Sequence, residues 1–311
     1  MHRPLNKNRL DNNTRVYHIY KNMSNTHIWS DTMNSNEKDS PILVLGATGK
    51  TGSRVAARLQ QRGIPVRAGH RSAAIPFDWQ DSTTWQSALQ DVEKLYLSFQ
   101  PDLAVPGATE IVERFCRQAV TGGVQKIVLL SGRGEDEARQ AEEVVERSGA
   151  DWTILRASWF MQNFSESFIL DELLNGAVYL PPGEIPEPFI DAEDIADVAV
   201  AALTQPGHSN THYELTGPRL MTFEQAIGEI AAAAGREIHY QQVPVADYVG
   251  FLREAQLPAE MVTLLEYLFS TVLDGRNASL TDDVQRSLGR APRDFSTYIA
   301  DTLPSGVWQA R

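Results

Sequence analysis

The sequence predicts an α/β protein: a doubly wound parallel sheet followed by a small, mostly helical C-terminal region. Three observations predict it. Gly46, Gly49 and Gly52 are evenly spaced between an apolar, β-branched run at 42–45 and a helical pattern at 53–62. From there to about Arg156, short apolar runs alternate with amphipathic stretches, the pattern of strands joined by crossover helices. After Arg156 the alternation weakens, and Pro181, Pro182, Pro186 and Pro188 interrupt it. The expected organisation is a leader over 1–40, a core over 41–156, and a mixed substrate region over 157–311. That last region partly completes the sheet and packs on the carboxyl ends of its strands.

The first run, ILVL, has the composition of a buried parallel strand. The helix behind it puts Val55, Ala56 and Leu59 on one face. IPVRAG at 64–69 reads as the second strand, closed by residues 70–72. FDW at 77–79 reads as a short strand, 83–89 as a helix, and KLYLSF at 94–99 as the next strand. A Pro-rich loop at 100–107 precedes a helix at 110–119, with Ile111, Val112 and Phe115 on one side. KIVLL at 126–130 is a strand ending at Ser131, 136–147 an acidic helix, and 152–155 a further strand. Later helices are expected at 164–174, 195–203, 222–234, 245–255, 258–273 and 281–288, with Pro258 at a first helical position. Strands are expected at 211–215 and 238–243.

Residues 1–40 are rich in Asn, Thr, His and Lys with little apolar periodicity, which predicts disorder. They contain no apolar core of the secretory kind. Met23 and Met33 lie inside this leader, and either is a candidate start of translation.

A formal net charge of −12 argues against nucleic acid and anionic membrane as main partners, because both need a basic surface. No run of about 20 apolar residues occurs, so no membrane span is expected. The single cysteine, Cys116, allows no disulfide framework or thiolate cluster and suits the cytoplasm. The seven histidines are scattered, and no metal site is expected.

The Gly-rich turn carries the first chemistry. Gly46 permits the tight turn, Gly49 lets backbone approach a pyrophosphate, and Gly52 lets the helix pack against the strand. N–H groups at the helix start, aided by the helix dipole, then hold the anion. An NAD site places an acid about 20 residues after the last glycine. Here the run GHRS at 69–72 contains none, and Arg71 stands at that point. Arg71, with Ser72, is placed for a 2′-phosphate, so NADP (NADPH) is the expected cofactor; a solvated loop arginine is the plain alternative. Asp78 is a candidate partner for the adenine amino group, or a turn-capping aspartate. Phe99 ends a strand where it would lean on the cofactor, or belongs to the core.

Ser131 ends the strand where a reductase of this architecture often places a catalytic hydroxyl. The usual Tyr-x-x-x-Lys partner is missing from GRGEDEARQAEEVVERSG, the run that follows. The one match in the chain, Tyr17 to Lys21, lies in the leader. Ser131 is left to bind cofactor ribose or substrate, or to cap the strand, and the catalytic group is unassigned. Tyr179, Tyr240, Tyr248 and Tyr267 are open as replacement acids. After the strand at 152–155, Trp159, Phe160 and Phe164, with Asn163, are the candidate substrate wall, and helix-packing core is the alternative. Asp191, Glu193, Asp194 and Asp197 read as helix N-terminal acids, with Ile195, Val198 and Ala199 inward.

GATGKTG, VRAGHRS, FDW, KIVLLSGRG, DWTILRASWFMQNF, PFIDAEDIADVA and YELTGP follow one another in this order. Together they resemble the NmrA-like atypical short-chain dehydrogenases/reductases, in the branch that includes the ergot-alkaloid festuclavine dehydrogenases. The resemblance runs from about Pro41 to the C-terminus. It implies an extended Rossmann domain with a small C-terminal region. It also implies NADP(H) binding through Gly46, Thr48, Gly49, Lys50, Thr51, Gly52 and Arg71. Two activities follow from it: reduction of quinones, iminium compounds or related small molecules, or NADP(H) sensing without turnover alongside a regulatory protein partner. Some quinone-reductase relatives carry a lysine near the position of Glu143, where this chain has an acid. Hydride transfer to a ketone creates an alkoxide that needs an acid. An iminium needs none at the reacting centre, and a quinone gives a stabilised phenolate. The expectation is therefore an NADPH-dependent reductase of such an acceptor, with a homodimer as a compatible state.

Overall fold

The computed structural model describes residues 40–309. Disorder of the leader, the starts at Met23 and Met33, and the Tyr17–Lys21 pair lie outside the described residues.

The first half of the chain runs β1 (Ile42–Leu45), α1 (Lys50–Gln61), β2 (Val66–Gly69), α2 (Trp85–Leu89), β3 (Lys94–Leu97) and α3 (Ala108–Thr121). It continues through β4 (Lys126–Gly132), α4 (Ala138–Glu146), β5 (Asp151–Ala157), α5 (Ile169–Leu174), β6 (Ala177–Leu180), α6 (Ala192–Thr204) and β7 (Thr211–Leu215). Six strands form one parallel sheet in the order β2-β1-β3-β4-β5-β7. Successive side chains of a strand point to opposite faces, and both faces here are covered. Leu43, Leu45, Leu95, Leu97, Ile127 and Leu129 feed one layer, with the aromatic cluster Phe77, Trp79, Trp85 and Phe115. Ile42, Val44, Tyr96 and Val128 feed the other, against Val55 and Leu59 of α1 and Ile195 and Val198 of α6. Burial on both faces is why these strands read as continuous apolar runs.

β1 pairs with β2 on one side and β3 on the other. The winding therefore reverses beside the Gly-rich turn, and a crevice opens at the carboxyl ends of the strands. The acids of α6 do more than cap it. Asp191 accepts the Glu193 N–H at 2.8 Å, as an N-cap does. Glu193 and Asp197 reach across to Arg54 and Arg58 of α1, each pair at 2.6 Å. Buried Asp194 pairs with Arg290 at 2.7 Å and Arg293 at 3.0 Å. These ion pairs hold α1, and with it the Gly-rich turn, against the rest of the fold.

The remaining elements are α7 (Phe223–Ala234), β8 (His239–Gln242), α8 (Val245–Glu254), α9 (Ala259–Tyr267) with a π turn at Leu268–Val272, α10 (Asp283–Leu288) and α11 (Phe295–Thr302). All but α10 surround a separate core that contains Phe164, Phe189, Phe223, Phe295, Tyr298 and Trp308; α10 packs through Val284 on the α6 face of the main sheet.

The structure corrects four local expectations. FDW is not a strand: Asp78 makes only an isolated bridge to Asp81. Its aromatics fill the core, and Trp85 Nε1 donates to the Asp78 carbonyl at 2.8 Å, which fixes a turn. The helix expected at 164–174 begins only at Ile169, after a 3₁₀ turn at Met161–Phe164. β6 was not expected; it pairs in parallel with β8 as a two-stranded ribbon outside the main sheet. Nor was α11 expected, a helix capped by Asp294, which accepts the Ser296 N–H at 2.9 Å.

Candidate active site

A cavity of about 2580 Å³ occupies the crevice at the carboxyl ends of β1 to β5. Thirteen of the cofactor and substrate candidates singled out from the sequence line it: Gly46, Thr48, Gly49, Lys50, Thr51, Arg71, Ser72, Asp78, Phe99, Ser131, Trp159, Phe160 and Asn163.

At one end lies the Gly-rich turn. Gly46 has φ +66°, a left-handed conformation open to glycine. The Gly49 N–H donates to the Gly46 carbonyl at 2.8 Å and closes the turn. A Cβ at Gly49 would lie 3.3 Å from that carbonyl and crowd the cavity face. Gly52 does not line the cavity. It sits beneath the turn, where a Cβ would fall 2.2 Å from the Gly46 oxygen, so its contribution is close packing. Gly49 supplies no capping side chain to α1, which leaves the first N–H groups of that helix for an anion. Lys50 faces the same end. Burial lowers its pKa, and the Glu166 carboxylate opposes that shift.

β2 ends in Gly69, followed by His70, Arg71 and Ser72, with no acid among them. His70 Nδ1 lies 3.2 Å from Ser72 Oγ. Arg71 is exposed and forms no ion pair with another described residue. Asp78 Oδ1 accepts the Gln80 N–H at 3.0 Å, so one carboxylate oxygen shapes the turn.

Farther along, Phe99 packs on Trp79 with ring centroids 4.9 Å apart. Ser131 is buried and donates to Glu142 Oε1 at 2.6 Å. Glu142 in turn holds Arg156, 2.6 Å from Oε2 to Nη2. Beside this lies a group that sequence reasoning missed. The Asp102 and Glu135 carboxyls, from the loops after β3 and β4, both line the cavity and lie near one another. The Glu135 carboxyl fills the space over Gly132, where a Cβ would fall 1.9 Å from Oε1. Burial raises both pKa values, and Asp102, Glu137 and Glu142 raise that of Glu135 further.

The far wall is aromatic. Trp159 lies 5.6 Å from both Phe223 and Phe269, centroid to centroid. Phe164, expected on this wall, is absent from it. It is fully buried among Phe189, Phe223 and Phe295, because the 3₁₀ turn points it into the C-terminal core. Buried Ser158 and Glu187, half-buried Trp159 and buried Tyr248 line this part of the cavity. Of the other tyrosines open as acids, Tyr179 lines the cavity. The Tyr240 hydroxyl is engaged with Leu180 and Gly183, and Tyr267 faces Glu137.

The NAD(P)H-binding family model matches residues 46–206, and the NmrA-like family model matches residues 136–299. The chain belongs to the NmrA-like family. Agroclavine dehydrogenase from Claviceps fusiformis is 31% identical over 293 residues, covering 87% of this chain and 99% of that one. An NAD(P)H azoreductase from Xenophilus azovorans is 30% identical over 278 residues, covering 83% and 96%. An NADPH-dependent quinone oxidoreductase from Escherichia coli, solved with NADPH, has the same fold. It superposes with a TM-score of 0.71 at 22% identity, covering 84% and 99% of the two chains. The NmrA-like chain thus has an NAD(P)H-binding fold whose Gly-rich turn opens on the cavity. Among the described residues, no helix is long and apolar enough to cross a membrane. No group of three or more His, Cys, Asp or Glu is placed there to hold a metal ion.

Proposed function

We propose that the protein is an NADPH-dependent reductase of small, flat organic acceptors such as quinones and iminium compounds. The observation that carries this reading is the continuity of the cavity, which joins a dinucleotide-type Gly-rich turn to an aromatic wall. The cradle at Gly46 and Gly49, which a Cβ would crowd, fits a pyrophosphate. Thr48, Lys50, Thr51 and the start of α1 would hold its oxygens. Arg71 and Ser72 would take a 2′-phosphate, in a strand end that lacks the acid an NAD ribose uses. Asp78 would meet the adenine, and Phe99 and Ser131 the nicotinamide end. When bound, NADPH supplies the hydride.

The chain's own residues supply the rest. Trp159 and Phe160 exclude water and offer a flat surface to the acceptor, and Asn163 gives the wall a polar anchor. Ser131 is not a proton donor here, since its O–H is directed to Glu142. The agroclavine dehydrogenase, azoreductase and quinone oxidoreductase named above support a reductase reading. Titration calorimetry with NADPH, followed by NADPH consumption across quinones, azo dyes and cyclic iminium ions, tests it. Tight NADPH binding with no turnover of any of them would favour cofactor sensing instead.

A further inference from the structure

Glu187 is a carboxyl that forms no ion pair among the described residues. It is 2% exposed and lines the aromatic end of the cavity. Its backbone is pinned to Met221 by two hydrogen bonds, at 2.8 and 3.0 Å, and it stands between Pro186 and Pro188. Its Oε1 accepts the Trp159 N–H at 3.3 Å, a long contact. Arg133 is the charged group that bears on it, but the Arg133 donors are taken up elsewhere. Arg133 Nε donates to Glu214 at 3.0 Å, Nη1 to the Asn277 and Ser279 carbonyls, and Nη2 to Ser279 Oγ. Burial pushes the Glu187 carboxyl up to about 7, against the pull of the Trp159 N–H and Arg133.

A carboxyl sealed in this way is poorly compensated unless a cation joins it. The wall beside it suits a flat cation. Trp159, Phe160 and Tyr248 line the cavity there, and buried Phe223 and Phe269 pack behind them, 5.6 Å from Trp159, with Phe269 5.1 Å from Tyr248. Two further polar atoms, Ser158 Oγ and Trp159 Nε1, are buried on this lining without a protein partner. Aromatic faces with a buried carboxylate are the chemistry that recognises an organic cation.

We infer that Glu187 selects for a cationic aromatic or N-heterocyclic acceptor, whose charge it meets while the ring lies on Trp159. This rests on the reductase reading for the word acceptor; the binding itself does not. On association the carboxyl gives its proton to buffer and pairs as a carboxylate with the cation. Affinity for the cation therefore rises with pH, and a neutral ring of the same shape shows no such dependence.

The test uses the full chain without cofactor, with N-methylquinolinium as the cationic probe and 1-methylnaphthalene as its neutral isostere. Calorimetry in two buffers of different ionisation heat reads the proton released. The expected result is cation affinity at least about tenfold higher near pH 8.5 than near pH 5.5, with proton release at the lower pH and a flat profile for the neutral probe. Glu187→Gln should remove the pH dependence and most of the preference for the cation, while NADPH affinity stays unchanged as the check on folding. Equal binding of both probes by the wild-type chain, or a pH profile that survives Glu187→Gln, overturns the inference. If the probes behave as expected but no acceptor is turned over, the cation site stands and the reductase reading falls.

Discussion

The Ser131 hydroxyl donates to Glu142 at 2.6 Å, inside a buried cluster completed by Arg156. This sets the hydroxyl apart from a catalytic one. Its proton is directed away from the cavity toward a carboxylate that an arginine already holds, so toward a ligand it can only accept. Ser131→Ala is therefore expected to lower turnover by far less than the roughly 10²–10⁴-fold that loss of a general acid brings. It should lower stability by about 0.5–1.5 kcal/mol, the worth of one hydrogen bond. Steady-state kinetics and denaturant unfolding read the two effects separately.

The glycines of the turn separate binding from folding. Gly49→Val places a branched side chain where the turn meets the cavity, and the folded protein should lose nucleotide binding. Gly52→Ala drives a Cβ to 2.2 Å from the Gly46 carbonyl, a clash of backbone that no side chain can relieve. It should destabilise the fold by at least the ~1–3 kcal/mol of a forced shift in a packed interior. Thermal unfolding and NADPH titration of the two variants check this division.

On the proposed reading, Arg71 carries the choice of cofactor. NADPH is expected to bind more tightly than NADH, and Arg71→Ala to weaken NADPH alone, by about 1.5–3 kcal/mol for a charge-assisted contact. Calorimetry with both cofactors measures it. Equal affinities in the wild type would remove Arg71 from the site.

Stability carries a pH signature from Glu172. Its Oε2 accepts the Tyr179 N–H at 2.7 Å, yet burial pushes the carboxyl from the usual 4.5 up to about 7. The folded state then holds its proton more tightly than the unfolded chain does. That contribution to stability is complete below about pH 4.5 and is lost as pH rises through about 7. Glu172→Gln should flatten the fall in melting temperature over this window relative to wild type.

Much of the sheet and the Gly-rich turn was legible because each depends on local pattern. A β-branched run, a glycine spacing and an amphipathic stretch are all visible within about twenty residues. The aromatic wall was only half legible. Trp159, Phe160 and Phe164 share one segment, but the 3₁₀ turn that sends Phe164 inward depends on Phe189, Phe223 and Phe295, far along the chain. β6 was hidden for the same reason: four residues ahead of Pro181, with a partner strand some sixty residues on. α11 was different. Phe295, Tyr298 and Ile299 have helical spacing after a capping Asp294, so its signal was present in the sequence and went unread. Glu187, Asp102 and Glu135 gave no signal at all, since a carboxylate in a polar or Pro-rich loop looks solvated until the fold buries it.

The central claim is reduction without a Tyr-x-x-x-Lys pair. Its most direct measurement is NADPH oxidation by the purified protein with a para-quinone, a cyclic iminium and a ketone of matched size, repeated for Trp159→Ala. The account predicts turnover of the quinone and the iminium, no turnover of the ketone, and a raised KM with unchanged NADPH affinity in the variant. Efficient ketone reduction that is abolished by replacing Tyr179 or Tyr248 would contradict it.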